Sequence, residues 1–209
     1  LDRLQAEGRL GAALLQFPWS FKREERTEEW LRGLFGAFAG LPLVVEVRHA
    51  SWDAPEVLAE LAEAGVGIVN VDQPLFHASI RPAARVTASV AYVRVHGRNY
   101  RDWFRKDAGR DARYDYLYTA GELEPWARRI SELATGGAAG ATAGVPDVYV
   151  VTNNHFRGQA AANALMLEAM VERRSVEAPA GLVAAYPDAL RPYAIAAANE
   201  PMAPELFPR

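Results

Sequence analysis

Three short stretches of the chain alternate apolar with ionisable or amide residues, and each ends in groups able to hold or move a proton. In Leu43-Val44-Val45-Glu46-Val47-Arg48, Glu46 and Arg48 share one face, because extended chain points successive side chains to opposite sides. Asn70 and Asp72 share a face in Val69-Asn70-Val71-Asp72, as do Arg94 and His96 in Tyr92-Val93-Arg94-Val95-His96. Gln16 closes Ala12–Phe17 in phase with Leu14, and Asn153-Asn154 close Asp147–Thr152. Burying ionic groups is costly unless they are paired. A wall that does so repeatedly reads as an active or binding site at the carboxyl ends of the strands. The structural alternative is a self-satisfied network with Glu46 neutralised by Arg48 or Arg94.

On the functional reading, Glu46, Asp72 and His96 supply general acid–base groups. The same trio suits a divalent metal, but Arg48, Arg94 and Arg98 crowd the same rim with positive charge, so no metal is assigned, and no cofactor is identified. The arginines point to a small anionic or sugar-like substrate, since guanidinium forks grip carboxylate and phosphate. Gln16, Arg48, Arg94, Arg98, Asn153 and Asn154 would orient it. Gly158, opening a helix after Asn153-Asn154, adds backbone amides suited to an anion, although no glycine-rich phosphate loop occurs. His49 and His155 stand outside the inner phase; capping competes with ligand contact for each. Ser20 and Ser51 lack the flanking glycines of a nucleophile elbow.

Between His96 and Gly121 lies a long loop dense in aromatic and basic residues, including Trp103, Phe104, Tyr114, Tyr116 and Tyr118 with Arg101, Arg105, Lys106 and Arg110. It reads as a cover over the site, with Tyr114 and Tyr116 touching substrate. The competing function is a non-catalytic module using loop 99–118 to bind a nucleic-acid end or a protein partner by stacking and charge. A satellite hydrophobic cluster is the structural alternative. Trp19 and Trp52, just past strand ends, divide the same way. Trp30 and Trp126 fall on helices and read as packing.

These residues need strands to aim them, and the chain supplies a strand–helix rhythm. Strands are expected at Ala12–Phe17, Leu43–Arg48, Gly67–Asp72, Val90–His96 and Asp147–Thr152. Helices are expected at Glu24–Phe38, after an Asp53 cap with Gly65 closing, at Gly121–Ala134 and at Gly158–Arg173. Such alternation is the signature of a parallel α/β fold. Leu1–Arg9 reads as the end of a helix already under way, with the chain truncated upstream. Thr135–Val145 is a low-complexity surface loop. Residues 1–175 form one domain, and 176–209, rich in Ala and Pro, an irregular tail packed on it or trailing from it.

At 209 residues with a formal charge of -3, the chain fits one domain and lacks the basic surplus of a nucleic-acid binder. It has no cysteine, which removes thiolate catalysis and Cys-ligated metals and suits a reducing cytoplasm. No apolar run approaches the roughly 20 residues of a membrane helix. Oligomeric state is left open.

The segments LLQFPWSFKR from Leu14, VVEVRHASW from Val44, YVRVHGRNYRDWF from Tyr92, RYDYLYTAGELEPWARRI from Arg113 and VVTNNHFRGQAAANAL from Val150 carry a family resemblance. In this order they resemble the YecE-like family, a domain of unknown function (number seventy-two). The resemblance implies a (β/α)8 TIM-type barrel. The strands recognised here make up about five of its eight, so about three βα units that precede Leu14 in the family are missing, with their inward polar residues. The family brings a fold and a site but no settled reaction.

Overall fold

The computed structural model describes residues 1–105, 107, 111–137 and 144–198. Helix α1 (Asp2–Ala6) precedes β1 (Ala13–Gln16), α2 (Glu25–Ala37), β2 (Leu43–Glu46), α3 (Pro55–Glu63), β3 (Gly67–Asp72) and β4 (Val90–Val95). Then come α4 (Ala120–Thr135), β5 (Asp147–Thr152), α5 (Gln159–Glu172), β6 (Val176–Ala178), α6 (Ala180–Ala185), α7 (Pro187–Leu190) and β7 (Ala194–Ala196). The first five strands form one parallel sheet in the order β1-β2-β3-β4-β5, an incomplete TIM-barrel-like α/β fold. Chain order equals spatial order, in keeping with the tendency of consecutive elements to be spatial neighbours.

The chain divides into two compact units, Leu1–Arg94 with Glu132–Tyr149, and Val95–Ser131 with Val150–Arg209. In the first unit, β1 pairs with β2 from Ala13↔Leu43 to Gln16↔Glu46, and β2 pairs with β3 at Val44↔Gly67 and Val45↔Ile68. Neighbours in register point the same way, so two apolar layers follow. Leu43, Val45, Val47, Ile68, Ala13 and Leu15 pack against Leu31, Leu34 and Phe35 of α2 and Val57, Leu58 and Leu61 of α3. Val44, Val69, Val71, Val90, Leu14 and Tyr92 form the other layer, which includes no helix residue among the described residues. The sheet curls around this second face. A Cβ at Gly11, just before β1, would lie 2.3 Å from the hydroxyl oxygen of Tyr149 on β5. Tyr149 also meets the Tyr92 ring at 6.2 Å.

Helix ends follow local chemistry. Glu24 and Thr27 form a reciprocal capping box at the start of α2. Pro55 occupies the first turn of α3, whose N-cap is Ala54 rather than the expected Asp53; Asp53 is instead ion-paired with Arg85. Gly65 (φ +66°) follows the end of α3 in the left-handed conformation glycine adopts without strain. The expected helix Gly158–Arg173 is α5 with both its end residues acting as left-handed caps.

In the second unit, α5 buries Ala162, Asn163, Met166 and Leu167. Asn163 accepts from the Tyr118 amide at 3.0 Å and donates to the Tyr118 carbonyl at 3.1 Å, tying α5 to the segment before α4. Residues 176–198 carry elements where an irregular tail was expected. β6 and β7 pair in parallel from Val176↔Ala194 to Ala178↔Ala196, with α6 and α7 between them. Each strand is only three residues long and lies beside alanines and prolines, which is why periodicity did not disclose them. Residues 138–143 of the low-complexity stretch and 199–209 of the tail lie outside the described residues.

Candidate functional site

The first unit concentrates charge where β1, β2 and β4 end. Glu46 is 0% exposed at the end of β2. Arg48 is two residues on and therefore on the same side; it turns the Nε–Nη2 edge of its guanidinium onto Glu46 Oε1, at 2.8 and 2.7 Å. Arg94, 8% exposed in the phase of Val90 and Tyr92, donates from Nη1 to Glu46 Oε2 at 2.7 Å and to Gln16 Oε1 at 2.6 Å. Two guanidiniums thus meet one carboxylate. Three charge-assisted contacts from the two arginines occupy both its oxygens. The carboxylate is better placed to aim the arginines than to collect a proton. Arg94 Nε, though buried, has no hydrogen-bond partner among the described residues.

Asp72 and Asn70 do not join this cluster on the face the alternation suggested. The register Val45↔Ile68 places Ile68, Asn70 and Asp72 in the phase of the helix-covered layer, while Val69 and Val71 share the other face with Val44. Asn70 accordingly accepts from the Arg85 amide at 2.9 Å and donates to the Arg85 carbonyl at 3.0 Å. Asp72 is fully buried. Just past the end of β3, the residue that continues the inner phase is Gln73, which sequence reasoning missed. It is buried and donates to the Arg48 carbonyl at 3.2 Å. Its position two places after Val71 was the available signal.

His49 N-caps the short 3-10 helix Ala50–Trp52, its Nδ1 accepting from the Ser51 amide at 3.1 Å. Burial, helped by Lys22, lowers its pKa. Capping is therefore its visible role. Trp52 is a core residue, stacked on Phe21 at 5.2 Å and donating to the Phe21 carbonyl at 2.9 Å. Trp126 is buried as expected, but Trp30 is 52% exposed and touches Phe17 and Phe21 only edge-on.

In the second unit His96 is fully buried. Its Nδ1 lies 3.1 Å from Asn153 Nδ2, and the Trp103 ring stands nearly perpendicular at 6.3 Å. Asn153 is held in turn by its amide donating to the Val95 carbonyl at 2.7 Å. Asn154 is a scaffold residue, donating to the Tyr116 carbonyl and to Asn163 Oδ1, each at 2.8 Å. Tyr116 hydrogen-bonds through its hydroxyl to Glu122, and Arg98 approaches the same carboxylate at 3.5 Å. Burial raises the Glu122 pKa, but the Tyr116 hydroxyl, the Thr119 amide and hydroxyl, and Arg98 together outweigh it and hold the acid below its ordinary range.

Tyr114 stacks on His155 at 4.7 Å, and His155 faces Asp111 at 3.5 Å. Within the loop, Trp103 and Tyr118 are buried and Tyr118 Oη accepts from the Gly97 amide at 2.9 Å, whereas Tyr100 and Phe104 are exposed. Arg105 pairs with Asp102 and Asp107. Lys106 and Arg110 lie outside the described residues. Among the described residues no group of three His, Asp or Glu side chains is disposed to hold a metal ion, and no helix is long and apolar enough to cross a membrane.

Comparison with known proteins places this arrangement in a family. The model described as "Protein of unknown function DUF72" matches residues 1–185, and the chain belongs to that family. It is 30% identical over 164 residues to the UPF0759 protein YunF of Bacillus subtilis (strain 168), covering 74% of this chain and 55% of that one. A solved DUF72 family protein (TM1631) of Thermotoga maritima MSB8 is 37% identical with a TM-score of 0.72, over 82% of this chain and 61% of that one. Another (EF0366), from Enterococcus faecalis V583, is 25% identical with a TM-score of 0.71, over 82% and 62%. The chain thus spans little more than half the length of the Bacillus protein and about three fifths of these solved structures.

Proposed function

We propose that this member of the DUF72 family is an enzyme acting on a small anionic or sugar-like substrate, held in the first unit where β1, β2 and β4 end. The observation that carries the reading is the buried Glu46 carboxylate between two guanidiniums. Holding a carboxylate and two guanidiniums away from water is costly for stability alone, and that cost favours a binding role. In this reading Arg48 and Arg94 bind the substrate, Gln16 assists, and Glu46 keeps both arginines aimed. Asp72 is a further buried carboxylate assigned to acid–base work. Within the second unit the residue assigned to proton transfer is His96, with Asn153 beside its Nδ1, and Arg98, Tyr114 and Tyr116 are that unit's own candidate ligand contacts.

The alternative, a module binding nucleic acid or protein through loop 99–118, draws less support. Arg105 is neutralised by two aspartates, and Trp103 and Tyr118 are packed inward.

A thermal-shift screen of the chain with sugar phosphates, nucleotides, carboxylates and divalent metals, with EDTA controls, tests the proposal. A ligand at a hundredfold excess over its Kd stabilises by about 2.7 kcal/mol. The expected result is a shift with one anion class that disappears in Arg94→Ala. An anion shift that survives Arg94→Ala would remove the cluster from the binding site.

A further inference from the structure

We infer that the first unit carries a second binding site, on the helix-covered side of its sheet, which takes a small quaternary ammonium ion against the ring of Trp30. The inference is independent of the proposed anion site. An open cavity of about 690 Å³ lies there, lined by Phe17, Phe21 and Trp30 together with Glu24, Arg26 and Glu29. That volume falls in the range of small-molecule sites.

The core holds part of the aromatic wall in place. Phe17 and Phe21 stack at 4.4 Å, and Phe21 stacks in turn on the buried Trp52 at 5.2 Å. Trp52 Nε1 also donates to the Phe21 carbonyl at 2.9 Å. Trp30 meets this stack edge-on, 5.5 Å from Phe17 and 5.9 Å from Phe21. Leu31, Leu34 and Phe35 are the residues of α2 that pack into the core. Trp30, one position off that stripe, keeps half its surface in water. The three rings make a contiguous apolar surface rimmed by polar groups, which is how binding sites are marked.

Ring electrostatics and charge select the ligand. Aromatic faces attract cations. Arg98, Arg129 and Arg157 already lie over Tyr118, Trp126 and Phe156, but among the described residues no guanidinium lies over Trp30. Glu24 and Glu29 bring two carboxylates to the cavity against the one guanidinium of Arg26. Glu24 receives the Thr27 amide in the capping box, and Glu29 and Arg26 make no ion pair among the described residues. A quaternary ammonium offers methyl groups to the rings and a positive charge to the carboxylates. A primary ammonium holds its water more tightly.

Titration of the chain with tetramethylammonium chloride tests this, against sodium chloride at the same ionic strength and against tert-butanol as a neutral molecule of similar shape. Binding is read by calorimetry and by the sequentially assigned Trp30 Nε1–H signal in ¹H–¹⁵N spectra. Tetramethylammonium is expected to move that signal and to bind more tightly than tert-butanol. Trp30→Ala should weaken it by about three- to tenfold, the loss of one cation–π contact. Glu29→Gln should weaken it by about twofold, and Arg26→Gln should tighten it by a similar factor.

Tert-butanol binding as tightly as the cation, or an affinity that Arg26→Gln fails to raise, would overturn the cation assignment. A Trp30 signal unmoved by either probe would overturn the site itself. A dimer in sedimentation equilibrium that Trp30→Ala dissociates would show a second copy covering this surface, and would overturn the inference as well. The wild-type Trp30 signal is decisive even where a variant fails to fold.

Discussion

Replacing Glu46 by glutamine removes one charge and almost no volume, so its effect isolates the electrostatics of the buried cluster. The carboxylate is 0% exposed and receives Arg48 at 2.7 and 2.8 Å and Arg94 at 2.7 Å. In Glu46→Gln an NH2 group must face one of the arginines, and two largely buried cations lose their counter-charge. Removing one partner of a buried pair costs about 3–5 kcal/mol. For a chain of this size each kcal/mol lowers Tm by about 2–4 °C, so a fall of roughly 6–20 °C is expected. Urea unfolding followed by tryptophan fluorescence and far-UV circular dichroism gives the free energy, provided the two probes coincide. The second variant Glu46→Gln/Arg94→Met should recover at least about 1 kcal/mol, because it withdraws one of the stranded cations. A loss below about 1 kcal/mol in the single variant, within the range of an exposed pair, would refute the argument that Glu46 is the clamp holding both arginines.

Glu122 gives a pH prediction with a defined sign. Its folded pKa lies below the ordinary value, so the stability it contributes is complete above the unfolded pKa of about 4.3 and is lost as pH falls through the folded value. The difference in urea midpoint between wild type and Glu122→Gln should be constant near neutrality and shrink below pH about 4.3; a difference unchanged down to pH 3 would contradict the Tyr116–Thr119–Arg98 arrangement. At Gly67 a methyl group would sit 2.9 Å from Val44 Cγ1 and 3.2 Å from the Val90 carbonyl oxygen. Gly67→Ala should therefore destabilise by about 1–3 kcal/mol as an overpacked core site, and a neutral effect in the same assay would show that β2 and β4 can part there.

Much of this protein is determined locally. The amphipathic period of Trp30, Leu31, Leu34 and Phe35 makes α2, and the apolar runs make β1 to β5 within a residue or two of their expected ends. Side-chain alternation alone puts Glu46 with Arg48, since the two are two residues apart where β2 ends. Alternation cannot say which face of a strand turns toward the helices. On β3 that was decided by register with β2: Val45↔Ile68 sends Asn70 and Asp72 to the helix-covered phase and leaves Val69, Val71 and then Gln73 on the other. A one-residue change of register would reverse every one of these assignments. The bond from Arg94 to Gln16 joins residues 78 apart in the chain, and the division of Arg94 between a used Nη1 and an unused Nε exists only once β1, β2 and β4 are side by side. The sequence by itself determines which residues could carry chemistry and the elements that bear them. Tertiary structure decides which of them meet, because hydrogen-bond geometry between strands is set by long-range pairing that no local pattern encodes.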